Sequence, residues 1–314
     1  MTTPLAPRFH ALADTIEKVV KGKRDIIELA LTCLFSEGHL LIEDVPGTGK
    51  TTLARCLAAS VDADYARVQF TPDLLPSDIT GATVYRQNTG VFEFLPGPVF
   101  ANIVLGDEIN RASPKTQSAL LEVMEERRVT ADGTTHPVPR PFMVLATQNP
   151  VDMGGTYPLP EAQLDRFLMR ITVGYPDHAS EIAVLKETGV GPESLTPVVT
   201  AREIAELIAT AGEIQVADAL HDYLVRVVAA TRTHPDVRLG ASPRGSVALL
   251  RAARVRAASQ DRPYVFPEDV KALAEPVLAH RLILTPEAEL SGRTGTDVID
   301  EVLTTVPLES GARV

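Results

Sequence analysis

Residues 40–52 read Leu-Leu-Ile-Glu-Asp-Val-Pro-Gly-Thr-Gly-Lys-Thr-Thr, and this stretch decides the fold. An apolar run that can form a buried strand passes into a glycine-containing turn and then into a Lys-Thr-Thr helix start. That order is strand, phosphate-cradling loop, helix. Gly47 and Gly49 let the backbone curl around an anion at a helix N-terminus, so the expected nucleotide-binding residues are Pro46, Gly47, Thr48, Gly49, Lys50, Thr51 and Thr52. Lys50 adds a point charge for the β- and γ-phosphates of ATP, and the Thr51 hydroxyl is placed for the Mg²⁺ that bridges them. The general pattern has glycine where this chain has Asp44. That departure falls on the first turn of the loop and leaves the Gly-Thr-Gly-Lys-Thr half intact.

Further apolar runs extend the pattern on both sides. His39 to Glu43, Tyr65 to Phe70, Asn102 to Asp107, Phe142 to Thr147 and Leu168 to Val173 read as five strands, alternating with helical segments such as Thr51 to Ser60 and Ser113 to Glu126. Strands that are near-continuously apolar and separated by helices indicate an α/β fold with a parallel sheet covered on both faces. Thr71 to Pro98 is a Pro- and Gly-punctuated insertion, and Asp132-Gly133 marks a hairpin within residues 127–141. After Tyr175-Pro176 only helices follow, with a capping box at Thr200 and Glu203 and a cap at Ser242-Pro243. The expected organisation is a nucleotide-binding core over 1–175, a linker over 176–200, an α-helical lid over 201–290 and a tail over 291–314 that is polar apart from a short helical stretch near Val298 to Leu303.

Composition narrows the function classes. A chain of 314 residues is long enough for about two domains, and its net charge of −11 argues against a broad nucleic-acid or anionic-membrane surface. No apolar run approaches the roughly 18 residues of a membrane span, and the first ten residues lack a basic region followed by an apolar core, so a cytoplasmic location without membrane insertion is expected. The two cysteines, Cys33 and Cys56, sit in apolar helical stretches and read as buried thiols.

Two acids close the third strand. Asp107 is placed to hold Mg²⁺, and Glu108 to orient or polarise the attacking water. Asn149, just beyond the fourth strand, is placed to hydrogen-bond that water or the γ-phosphate. Taken in order, G-T-G-K-T, I-V-L-G-D-E-I-N-R-A, A-T-Q-N-P, P-E-A-Q-L-D-R-F and S-P-R-G resemble an AAA+ ATPase of the MoxR family, over nearly the whole chain. The segment F-E-F-L-P-G-P-V-F-A-N is similar to that family's insertion in the second core helix. The resemblance implies a P-loop AAA+ core with a five-stranded parallel sheet of order 5-1-4-3-2, a smaller all-α lid, and a hexameric ring with ATP between subunits. It also implies a chaperone-like role in maturing partner complexes, with a von Willebrand factor A-type protein and a client as partners. Under it, Arg166 matches the arginine finger, Arg244 the lid-domain sensor arginine, and Gly22 in V-K-G-K the segment that wraps adenine. Arg111 is a further cation near the acidic pair, suited to an ion pair between subunits or to catalysis.

Two other classes share this architecture. A DNA-translocating or helicase-like ATPase would grip DNA with the 127–141 hairpin, which carries Arg127, Arg128, His136 and Arg140, although the acidic balance and the lack of interleaved aromatics oppose it. The ATPase subunit of a metal chelatase is the other.

Overall fold

The computed structural model describes residues 5–45, 47–149, 156–186 and 191–308. Its central sheet is built from β1 (Leu40–Glu43), β2 (Tyr65–Gln69), β3 (Ile103–Asp107), β4 (Met143–Gln148) and β5 (Met169–Ile171). The strand order is β5-β1-β4-β3-β2, as the family resemblance implied. Leu40, Leu41 and Ile42 of β1, Val104 and Leu105 of β3, and Val144, Leu145 and Ala146 of β4 are all buried, which is the signature of a sheet covered on both faces. Parallel pairing sets Ile42 opposite Thr147, Gly106 opposite Ala146 and Gln69 opposite Asp107. One consequence matters for function. The apolar runs end at the same level, so Asp44, Gln69, Asp107, Glu108, Gln148 and Asn149 gather at the carboxyl edge of the sheet.

Helix Lys50–Ser60 follows β1, and Pro114–Glu126 follows β3 with Ser113 as its cap, the Ser113 hydroxyl accepting from the Thr116 N–H. The 127–141 turn signal is realised as a hairpin of Arg128–Ala131 and Thr134–Pro137, with Asp132 and Gly133 both at positive φ, the conformation that a tight hairpin turn demands. The 71–98 insertion holds more regular structure than its punctuation predicts: a short helix, Pro76–Thr80, and a second hairpin, Gly81–Arg86 with Val91–Pro96. Its alternating residues include exposed Tyr85 and Phe92, whose rings pack against each other.

By its contacts the chain forms two compact units. The sheet unit comprises residues 11–159 and 171–205, and the helical unit residues 1–10, 160–170 and 206–314. The segment expected as a linker contains helix His178–Lys186, and Val199–Thr200 pairs with Val61–Asp62. In the tail from Ser291, the short helical stretch expected near Val298 to Leu303 is the helix Gly295–Thr305, with a capping box of Thr294 and Asp297, and it buries Val298, Ile299 and Val302. It packs on helices Asp218–Thr231 and Pro267–Leu278. Three apolar residues at helical spacing are all that one buried face of a short helix requires, even in a polar stretch. Pro276 falls within the last turn of Pro267–Leu278, and the helix gives way to a tight turn at Ala279–Arg281.

Candidate functional site

The loop after β1 has the backbone of an anion cradle. Gly47 and Gly49 have φ of 87° and 91°, and a Cβ at either would meet nothing within 4 Å. Gly49 begins the helix Lys50–Ser60 without a side-chain cap, so the first-turn N–H groups are available to an outside acceptor. Thr51 and Thr52 are half-buried in that first turn, and Thr48 is buried with its hydroxyl donating to the Val45 carbonyl at 3.2 Å. Pro46 lies outside the described residues. The Lys50 ammonium donates to the carbonyls of Asp44 at 2.5 Å and Val45 at 3.2 Å, and reaches Asn149 Oδ1 at 3.4 Å. Burial pulls its pKa below the ordinary lysine value against the opposing pull of Asp44, Asp107 and Glu108.

Asp44 now has a structural account. Its carboxylate accepts from the Val45 N–H at 2.7 Å and from the Gly174 N–H at 2.6 Å, so a buried acid pins the first turn of the loop to the chain just beyond β5. A glycine there would leave both donors to other partners. Gly22 lies by the same exit segment: it has φ of 65°, and a Cβ on it would run into the Ser180 hydroxyl. Lys23 donates to the Tyr175 carbonyl at 2.8 Å.

At the end of β3 the acidic pair is held by residues that sequence reasoning passed over. Asp107 Oδ1 accepts from the Thr147 hydroxyl at 2.6 Å, and the same hydroxyl accepts from the Glu108 N–H at 2.9 Å. Glu108 stands in the left-handed region, with φ of 56°, so Thr147 fixes both the carboxylate and the strained turn that follows it. Arg67 pairs with Asp107 Oδ2 at 2.7 Å, while Glu108 Oε2 accepts from Gln69 at 3.0 Å and Arg111 at 2.9 Å. Arg111 thus pairs within its own chain. Thr147 was findable as the one hydroxyl in the otherwise apolar run of β4. Gln69 and Arg67 were not, because their proximity depends on the β2–β3 register.

Lys50, Asn149, Asp107 and Glu108 therefore share one sheet edge. Arg166 and Arg244 belong to the helical unit, where the Arg244 N–H donates to the Ser242 hydroxyl that caps helix Pro243–Ser259. The basic residues of the 127–141 hairpin are engaged: Arg127 and Arg140 with Glu37, Arg128 with Glu126, and His136 stacked on Phe94 at 4.2 Å. Cys33 and Cys56 are buried thiols whose pKa values burial pushes up, that of Cys56 to about 12. Among the described residues no three His, Cys, Asp or Glu side chains cluster as a metal cage, and no helix is long and apolar enough to cross a membrane.

Comparison with known proteins agrees with this geometry. Residues 39–169 match the ATPase family associated with various cellular activities (AAA), and residues 229–302 match the AAA lid domain. Chaperone MoxR1 of Mycobacterium tuberculosis is 44% identical over 97% of this chain and 84% of its own length. The chain belongs to the MoxR family of AAA+ ATPases. Another relative of this MoxR-family ATPase, the uncharacterized protein YeaC of Bacillus subtilis, is 49% identical over 96% of this chain and 95% of its own. A crystal structure from Cytophaga hutchinsonii, described as a candidate ATPase, superposes with a TM-score of 0.91 at 40% identity, covering 98% of this chain and 96% of that one.

Proposed function

We propose that this MoxR-family ATPase is an Mg²⁺-dependent ATP-driven motor that assembles as a hexameric ring in the cytoplasm and remodels or matures partner protein complexes. The observation that carries the reading is the convergence of Lys50, Asn149, Asp107 and Glu108 on the sheet edge beside the Gly47–Gly49 cradle. The cradle and Lys50 bind the phosphates, Gly22 lies along the adenine, and Asn149 positions the γ-phosphoryl or the water. Glu108 orients the attacking water once its carboxylate is free of Gln69 and Arg111. Thr51 and Asp107 carry the oxygens that would hold Mg²⁺, a hard cation that takes few protein ligands, and the ion would supply neutralisation of phosphate charge. Arg166 serves a neighbouring subunit's site as an arginine finger, and Arg244 senses the γ-phosphate.

Partner remodelling is supported by the name of the 44% identical relative, a chaperone, and by the family resemblance, which also brings in a von Willebrand factor A-type partner. Pairing of the hairpin arginines, Arg127 and Arg140 with Glu37 and Arg128 with Glu126, weighs against a DNA grip there. Phosphate release and nucleotide binding test the site. Lys50→Ala is expected to lose binding, while Glu108→Gln keeps ATP without turning it over. Wild-type turnover by Glu108→Gln would remove that residue from the water. The ring is tested by mixing: Lys50→Ala and Arg166→Ala, each inactive alone, regain part of the activity together because some interfaces join an intact Lys50 to an intact Arg166. A rate per subunit independent of concentration, with no recovery on mixing exchangeable subunits, would refute the shared site.

A further inference from the structure

In the sequence Arg166 and Arg244 are two separate cations, 78 residues apart, one expected on the core and one on the lid. The helical unit contains both. Within it the Asp165-Arg166-Phe167 turn is fastened at two points. The Ser242 hydroxyl donates to Asp165 Oδ2 at 3.0 Å, and Arg281 donates to Asp165 Oδ1 at 3.3 Å and to the Phe167 carbonyl at 2.6 Å. The same carbonyl also accepts from His280 Nε2 at 3.2 Å. Ser242 is at once the cap of helix Pro243–Ser259, its oxygen accepting the Arg244 N–H at 3.1 Å. One hydroxyl and one carboxylate therefore bridge the residue before Arg166 to the backbone of Arg244.

The surroundings make this bridge a fixed part. Arg281 is 8% exposed, and burial lowers its pKa to about 10 despite the pull of Asp165, so its charge is tolerable chiefly because Asp165 and the Phe167 carbonyl accept its donors. A buried, hydrogen-bonded charge pair has few alternative arrangements, because breaking it leaves a desolvated cation. The turn that carries Arg166 is thus bound to the end of helix Pro267–Leu278 through Arg281 and to the start of helix Pro243–Ser259 through Ser242.

We propose that Asp165 is a positioning residue that locks the Arg166 turn to the Ser242 cap, so that Arg166 and Arg244 are presented as one rigid pair. The proposal rests on the roles given above to Arg166 and Arg244. Two independently flexible arginines would each have to be ordered when the phosphoryl transfers; a shared mount orders both backbones beforehand. Any displacement of the helical unit then carries both cations together, which gives a single movement control over two charges.

The test uses the full chain under ring-forming conditions. Asp165→Asn and Ser242→Ala are expected to lower kcat at least tenfold while the ATP dissociation constant stays within twofold, because the cradle is untouched. Ser242→Thr, which keeps both the hydroxyl and the cap, is expected to restore the wild-type rate. Spin labels at the exposed positions 161 and 247, both in the helical unit, should give a narrow distance distribution in the parent protein and a broadened one in Asp165→Asn and Ser242→Ala. If Asp165→Asn fails to fold, the Ser242→Ala and Ser242→Thr pair decides alone. Wild-type kcat in Ser242→Ala, with Arg166→Ala inactive, overturns the lock and leaves the arginine's role standing. Full activity in Arg166→Ala overturns the role on which the lock rests.

Discussion

Replacing Thr147 with valine tests the architecture of the acidic edge most directly. The side chain is fully buried, and valine keeps its shape and β-branching, so only the hydroxyl is lost. Two interactions go with it, the 2.6 Å bond to the Asp107 carboxylate and the 2.9 Å bond from the Glu108 N–H. A hydrogen bond to a charged group contributes about 1.5–3 kcal/mol, and a buried donor left unpaired costs about 1–3 kcal/mol. Because Arg67 still holds the other Asp107 oxygen, the lower ends of these ranges apply, giving a loss of about 2–4 kcal/mol in unfolding free energy. Thr147→Ser removes one methyl group and keeps the hydroxyl, so it should lose only about 1 kcal/mol. Urea unfolding at pH 7.5 gives the stability difference, and phosphate release titrated with Mg²⁺ gives the functional one. With Asp107 no longer fixed, half-maximal activation should move to higher Mg²⁺ in Thr147→Val and remain near wild type in Thr147→Ser. Equal unfolding midpoints and equal Mg²⁺ dependence for parent and Thr147→Val would refute the reasoning, since the hydroxyl would then hold neither acid.

Three further expectations follow from single contacts. His39 is buried and neutral, its Nδ1 accepting from the Val144 N–H at 3.0 Å and its Nε2 facing the Met124 carbonyl at 3.1 Å; burial lowers its pKa from 6.5 to about 4. Since the unfolded chain takes up this proton near pH 6.5 and the folded chain only near 4, stability should fall with pH between those values by about 3 kcal/mol for this residue, with buried His280 adding loss in the same direction; urea midpoints from pH 7 to 4.5, flatter in His39→Gln, check it. Asp44→Asn should destabilise the sheet unit by about 2 kcal/mol, because an amide turns a donor toward the Val45 or Gly174 N–H where the carboxylate accepted both, and an unchanged melting curve would count against the pin. Gly22→Ala combines a positive φ, which costs an L-residue about 1–2 kcal/mol, with a Cβ against the Ser180 hydroxyl, so it should lower stability and weaken nucleotide binding; full nucleotide affinity would detach this segment from the adenine.

The one-dimensional pattern determined the class of this protein. Apolar runs of strand length in β1, β3 and β4, each followed by a helix, specify a parallel covered sheet, and Gly47-Thr48-Gly49-Lys50 specifies the phosphate loop, because buried faces and left-handed turns leave their mark on residue type at fixed spacing. Asp107, Glu108 and Asn149 were legible for the same reason, as polar groups placed where apolar strands end. The tertiary structure alone decided what holds those groups. Thr147 meets Asp107 across 40 residues, Gln69 meets Glu108 across 39, Asp44 meets Gly174 across 130, and Asp165 meets Ser242 across 77. Each of these side chains, read alone, is an ordinary polar residue at the end of a strand or the start of a helix. Its partner is fixed by sheet register and helix packing, which arise from the summed burial of the whole chain, so no local window of sequence contains it.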